Sequence, residues 1–61
     1  MKTPRAQKKP PKALILVIED DRSLREGLAM NLQLNGYKTA VAADGEEGMR
    51  MAFDLRPALI V

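Results

Sequence analysis

The chain has 61 residues, with no Cys and no His, so disulfides, thiolate metal sites, imidazole ligation and a histidine pH switch are excluded. What remains is the chemistry of carboxylates, hydroxyls, amines and backbone. A domain of this size buries only about 60% of the surface its unfolded chain exposes, and the formal net charge of +2 averages two unlike regions.

Residues 1–12 (MKTPRAQKKPPK) carry Lys2, Arg5, Lys8, Lys9 and Lys12 and no acid. Three prolines and only two apolar residues, Met1 and Ala6, leave nothing to repay the entropy of ordering. This segment reads as a disordered, partly extended leader. It is either a solvated tail or a weak electrostatic contact for nucleic acid or an acidic partner. No aromatic residue is interleaved with the lysines, so base stacking has no support. Residues 13–61 carry five basic and eight acidic side chains, net −3. No apolar run reaches the roughly 18 residues of a membrane span. The run after the basic start is too short and too soon broken by acids for a secretory signal. A cytoplasmic setting without membrane contact is expected.

Ala13 to Ile18 (ALILVI) is apolar without alternation, as in a strand buried on both faces. Glu19, Asp20 and Asp21 follow at its carboxyl end. Residues 22–35 read as a helix with Leu24, Leu28 and Leu32 on one stripe and Arg25 and Glu26 off it. Ser23 to Glu26 matches a capping box, with Asp21 as the alternative N-cap. Asn35-Gly36 is a stop signal. Tyr37 to Ala42 alternates as an edge strand would. Asp44 with Glu47 starts a second helix over residues 45–55. Its expected inner face is Gly48, Met49, Ala52 and Leu55, with Glu46, Glu47 and Arg50 outside. Arg56-Pro57 stops it. Ala58 to Val61 (ALIV) is a second buried-type run.

The order β-α-β-α-β with short loops argues for an α/β fold, half of a doubly wound parallel sheet with right-handed crossovers. Ligands in such sheets bind at the carboxyl ends of the strands, where Glu19, Asp20 and Asp21 lie. A row of carboxylates suits a hard divalent cation such as Mg2+, which takes one or two carboxylates plus waters. Successive residues at a strand end point to opposite sides, so one ion is not expected to engage all three acids. The plainer reading is that acids before a helix serve its caps and dipole; it explains one or two of them well, and three poorly. No glycine-rich phosphate loop follows the first strand, which argues against dinucleotide and P-loop nucleotide binding.

Residues 13–61 resemble the first half of a receiver domain of bacterial two-component response regulators. The similarity rests on the apolar strand running into an acid pair and on Leu24-Arg25 opening the first helix. It continues with Asn35-Gly36-Tyr37, with Ala43-Asp44-Gly45-Glu46-Glu47, and with Arg56-Pro57-x-Leu59-Ile60-Val61. The resemblance implies a flavodoxin-like receiver fold, truncated after the third strand, whose strand order begins 2-1-3. It implies that Glu19 and Asp20 are the acid pair that binds Mg2+ in the intact parent. Asp21 and Ser23 then belong to the helix start. It also implies a sensor histidine kinase as partner of the parent, which would phosphorylate an aspartate at the end of the third strand.

That aspartate would stand two residues past Val61. No phosphoacceptor, and no catalytic residue, is therefore expected in these residues. The chain is expected to be non-enzymatic and not phosphorylatable, with weak Mg2+ binding or none. A half-domain should expose its third strand and self-associate, by pairing of Ala58–Val61 edges or by swapping elements between copies. The alternative function is a small non-catalytic, self-associating α/β interaction module.

Overall fold

The computed structural model describes residues 13–61; the leader assigned to residues 1–12 lies outside the described residues. The elements are β1 (Leu14–Ile18), α1 (Arg22–Leu34), β2 (Lys38–Ala42), α2 (Gly45–Leu55) and β3 (Leu59–Ile60). The sheet is parallel with order β2-β1-β3. This is the α/β arrangement the sequence implies. With right-handed crossovers, an order that steps from β1 to β2 and back past β1 to β3 puts α1 and α2 on opposite faces.

The core sits on β1. Leu16 and Val17 are each 0% exposed. Neighbours on a strand point to opposite faces, so both faces of β1 are covered. Each such side chain contributes about 1.5–3 kcal/mol over leaving it in water. Ile15, Ala29 and Ala42 complete the buried apolar set.

Small residues bring the helices onto the sheet. Ala29 is the buried residue of α1, and Gly48 is that of α2. A Cβ on Gly48 would lie 2.7 Å from Cγ1 of Ile18, so only glycine permits this approach. The expected Leu24–Leu28–Leu32 stripe is corrected: Leu24 is 58% exposed, and half-buried Arg25 and Leu32 flank Ala29 instead. On α2, Gly48 and Ala52 face inward as expected, but Met49 and Leu55 are exposed, and Glu47 and Met51 are half-buried. A sheet of three strands is too narrow to cover every apolar residue of two helices.

Both stop signals work as read. Gly36 has φ 93°, its N–H donates to the Gln33 carbonyl, and the Tyr37 N–H donates to that of Leu32. That pair of bonds is a Schellman motif. At the end of α2, Arg56 takes the left-handed conformation with φ 50° before Pro57. The Gln33 side-chain amide donates to the Thr39 hydroxyl at 2.6 Å, which ties α1 to β2. The third strand departs from expectation. Leu59, Ile60 and Val61 are all exposed, because β3 is an edge with neither helix over it.

Gly48→Ala should destabilise the fold by about 1–3 kcal/mol through overpacking, outweighing the roughly 1 kcal/mol that alanine gains in helix propensity. Ile18→Val should recover part of the loss. Urea unfolding of the two single variants and the double variant checks this; strictly additive effects would mean that Ile18 and Gly48 do not share the space.

Candidate functional site

The acids lie where a parallel sheet offers its ligand-binding end. β1 stops at Ile18, and two backbone bonds hold its end between its neighbours. The Ile18 N–H donates to the Val61 carbonyl at 2.9 Å, and the Glu19 N–H donates to the Ala42 carbonyl at 3.1 Å. The turn into α1 is therefore anchored from both sides of the sheet.

The three carboxylates divide by role. Asp21 is the N-cap of α1 in extended conformation, and its Oδ1 accepts from the Leu24 N–H at 3.0 Å. Glu19 is half-buried and curls back, its Oε2 accepting from the Asp21 N–H at 3.1 Å. Asp20 is exposed, and among the described residues nothing donates to its carboxylate. Ser23 does not cap the helix. It lies inside the first turn, and the cap position is filled by Asp21. Asp21 is placed to reach the Leu24 N–H from the residue before the helix, whereas Ser23 already has helical backbone. The capping-box reading of Ser23 with Glu26 is thus corrected, and Glu26 pairs with Arg22 at 3.0 Å instead.

Arg25 is the residue that sequence reasoning missed. It was placed off the inner face, yet it is half-buried, and its Nη1 donates to the Glu19 carbonyl at 2.9 Å. A guanidinium therefore holds the backbone that carries the acids. Its only sequence signal is its position one turn into a helix that follows three carboxylates.

The carboxylates suit Mg2+ in donor type and number. Asp20 offers an unengaged carboxylate and Glu19 a second with one oxygen already used, which matches the usual one or two carboxylate ligands. Among the described residues, no group of three or more His, Cys, Asp or Glu is arranged to hold a metal, so the two acids alone do not make a complete site. Two surface grooves of the described residues lie elsewhere. One, between α1 and β2, is lined by Glu26, Ala29, Met30, Gln33 and Thr39 among others; the other is on the outside of α2. No described helix is long and apolar enough to cross a membrane.

The acids thus close the central strand of a parallel β2-β1-β3 sheet, and over most of its length the chain is similar to response regulators. The chain is 43% identical over 47 residues to the transcriptional regulatory protein AfsQ1 of Streptomyces coelicolor, a match covering 77% of this chain and 21% of that protein. It is 45% identical over 47 residues to the response regulator MprA of Mycobacterium ulcerans, covering 77% and 20%. MprA of Mycolicibacterium vanbaalenii is 43% identical over the same length. The chain is thus a relative of the response regulators, matching about one fifth of the length of these proteins. No family model matches the chain, and no solved structure does.

Asp21→Ala should cost about 0.5–2 kcal/mol through loss of the cap, while Ser23→Ala should stay within about 0.5 kcal/mol. Chemical denaturation of both variants measures the difference; a larger loss at Ser23 would reverse the assignment.

Proposed function

We propose that residues 13–61 form the acid-pair half of a phosphorylation-switched receiver domain. The carrying observation is register. Val61 donates to the Leu16 carbonyl and accepts from the Ile18 N–H, which sets it opposite Val17. Two residues further along β3, a side chain would lie level with Glu19. An aspartate there would complete a cluster with Glu19 and Asp20 at one end of the sheet.

In this reading Glu19 and Asp20 hold Mg2+, and Asp21 keeps the start of α1 in place. When bound, Mg2+ offsets the repulsion between an aspartate nucleophile and an incoming phosphoryl group. The phosphoryl donor is a sensor histidine kinase, and the setting is cytoplasmic. The phosphoryl group would go to an aspartate two residues past Val61, and Glu19 and Asp20 without it would hold Mg2+ weakly or not at all. The response-regulator relatives support the class of partner. Their own activities belong to proteins about five times longer than the matched stretch.

A second reading is a non-catalytic, self-associating α/β module. The exposed Leu59, Ile60 and Val61 favour it, since an apolar edge strand is a template for pairing with another chain. Sequence read beyond Val61 separates the two: an aspartate at the second position supports the first, and a stop supports the second.

Titration with Mg2+, followed by the amide signals of Glu19 and Asp20, should give a dissociation constant no tighter than about 1 mM for the 61-residue chain, since one or two carboxylates plus waters make a weak site. In a longer protein that supplies the aspartate, Asp20→Asn should weaken Mg2+ binding more than Asp21→Asn. Submillimolar binding by the 61-residue chain alone would contradict the need for a further carboxylate.

A further inference from the structure

The sheet is bordered by β3 on one side and by β2 on the other. On the outer side of β2 the backbone groups can be assigned one by one. The Lys38 N–H donates to the Ala13 carbonyl, and the Ala42 carbonyl accepts from the Glu19 N–H. Bonding alternates along a strand, so Lys38, Ala40 and Ala42 bond toward β1. Thr39 and Val41 therefore aim their N–H and C=O groups away from the sheet, where no described strand lies. Beyond them the donors are closed. The Tyr37 N–H donates to the Leu32 carbonyl, and the Ala43 N–H donates to Oε1 of Glu47 at 2.9 Å. Between these closed ends stand two open N–H groups and their two carbonyls, placed symmetrically about Ala40.

That symmetry fits an antiparallel copy of the same strand. With Ala40 opposite Ala40, Thr39 pairs with Val41 of the second copy and Val41 with its Thr39, each pair exchanging two backbone bonds. A shift of two residues either way would bring the closed Tyr37 or Ala43 donor into the ladder. The Ala40 pair falls at a non-hydrogen-bonded position, where strands approach to about 4.5 Å between Cα atoms, and a methyl group fits there. Both faces obey the same axis. On the face of Thr39 and Val41, α1 sets Glu26, Met30 and Gln33 beside the edge. Gln33 is level with Thr39, to which its amide donates, so the axis passes near Met30 and turns Glu26 toward Gln33 of the second copy, an acceptor toward a donor. On the opposite face, exposed Lys38 comes opposite Ala42 of the second copy, beside the Glu47 that closes that edge. Opposite charges thus meet at both ends.

We propose that the outer edge of β2 is a seam between two copies of the chain, which join their sheets antiparallel about a two-fold axis at Ala40. Such an interface is isologous, each contact occurring twice. The Thr39–Val41 bonds set its register, and the Lys38–Glu47 pairs close its ends. A ladder this short buries less than the roughly 1,200–2,000 Å² of a stable interface, so the dimer is weak and concentration-dependent. The seam goes beyond both readings above, because strands added past β3 would leave β2 at the edge. It also differs from pairing of the Ala58–Val61 edges.

Sedimentation equilibrium of the 61-residue chain, from about 10 µM to about 1 mM, a range that spans weak association, tests the seam together with amide hydrogen exchange. A monomer–dimer equilibrium is expected. The Thr39 and Val41 amides should gain protection as concentration rises, and the Ile60 amide should not. Val41→Pro removes one open donor and leaves the bonds to β1 in place, since proline is tolerated where an edge N–H faces solvent. It should raise the dissociation constant at least about tenfold. Lys38→Glu should weaken the dimer as well. Ile60→Pro, which removes the outward N–H of the β3 edge, should leave the constant unchanged. Exchange of the wild-type amides decides the matter even where a proline variant fails to fold. A wild-type chain that stays monomeric throughout overturns both the seam and the self-associating reading, and leaves the acid-pair reading standing. A dimer in which Thr39 and Val41 exchange as freely as in the monomer overturns the seam alone. Loss of that dimer with Ile60→Pro would then place association at the β3 edge.

Discussion

The structure depends on one strand being enclosed on all sides. β1 is paired in parallel by β2 and by β3 along its two edges and is covered on both faces, with Leu16 and Val17 wholly buried. Every other element is placed by reference to it. β2 and β3 are edges because β1 is the centre, and the helices take opposite faces because the chain crosses β1 between β2 and β3. The acids end up together at one rim because β1 ends there, with Ile18 and Glu19 bonded to different neighbours. A protein with so few fully buried side chains has little stability to spare, so the enclosure of β1 is also its main stabilising term.

That enclosure gives the acidic turn its form. Three consecutive carboxylates repel one another, and the fold separates their tasks rather than their positions. Asp21 satisfies a helix N–H, Glu19 satisfies the Asp21 N–H, and Arg25 brings a positive charge to the Glu19 carbonyl. Asp20 alone is left without an internal donor among the described residues. Asp20 lies at the carboxyl end of the central parallel strand, the rim at which sheets of this kind bind ligands, and the proposed Mg2+ role rests on that placement.

Much of this was legible in the residues. ALILVI has no alternation and is the enclosed strand; Asn35-Gly36 and Asp44 with Glu47 mark helix ends through local backbone chemistry that needs no tertiary context. The helix faces were less legible. Periodicity weights large apolar residues, so it chose Leu24 and Leu28, whereas close packing on a sheet selects the small ones, Ala29 and Gly48. ALIV read as a buried strand because its composition is that of one, but burial is a property of neighbours, and β3 has only one. Arg25 was hidden for a related reason. A charged residue on a helix reads as solvated until a carbonyl is found within its reach. Ser23 matched a capping pattern that Asp21, one residue before the helix, satisfies more directly.

The claim that β1 is the paired centre of a parallel sheet can be tested at single bonds. Scalar couplings across hydrogen bonds, measured by NMR on the labelled chain, report each donor–acceptor pair directly. A central β1 gives a coupling from the Ile18 N–H to the Val61 carbonyl and another from the Glu19 N–H to the Ala42 carbonyl. Both together place the acid turn between β2 and β3. Absence of the Ile18–Val61 coupling while Glu19–Ala42 persists would leave β1 at an edge, and would contradict the register from which the proposed function is drawn.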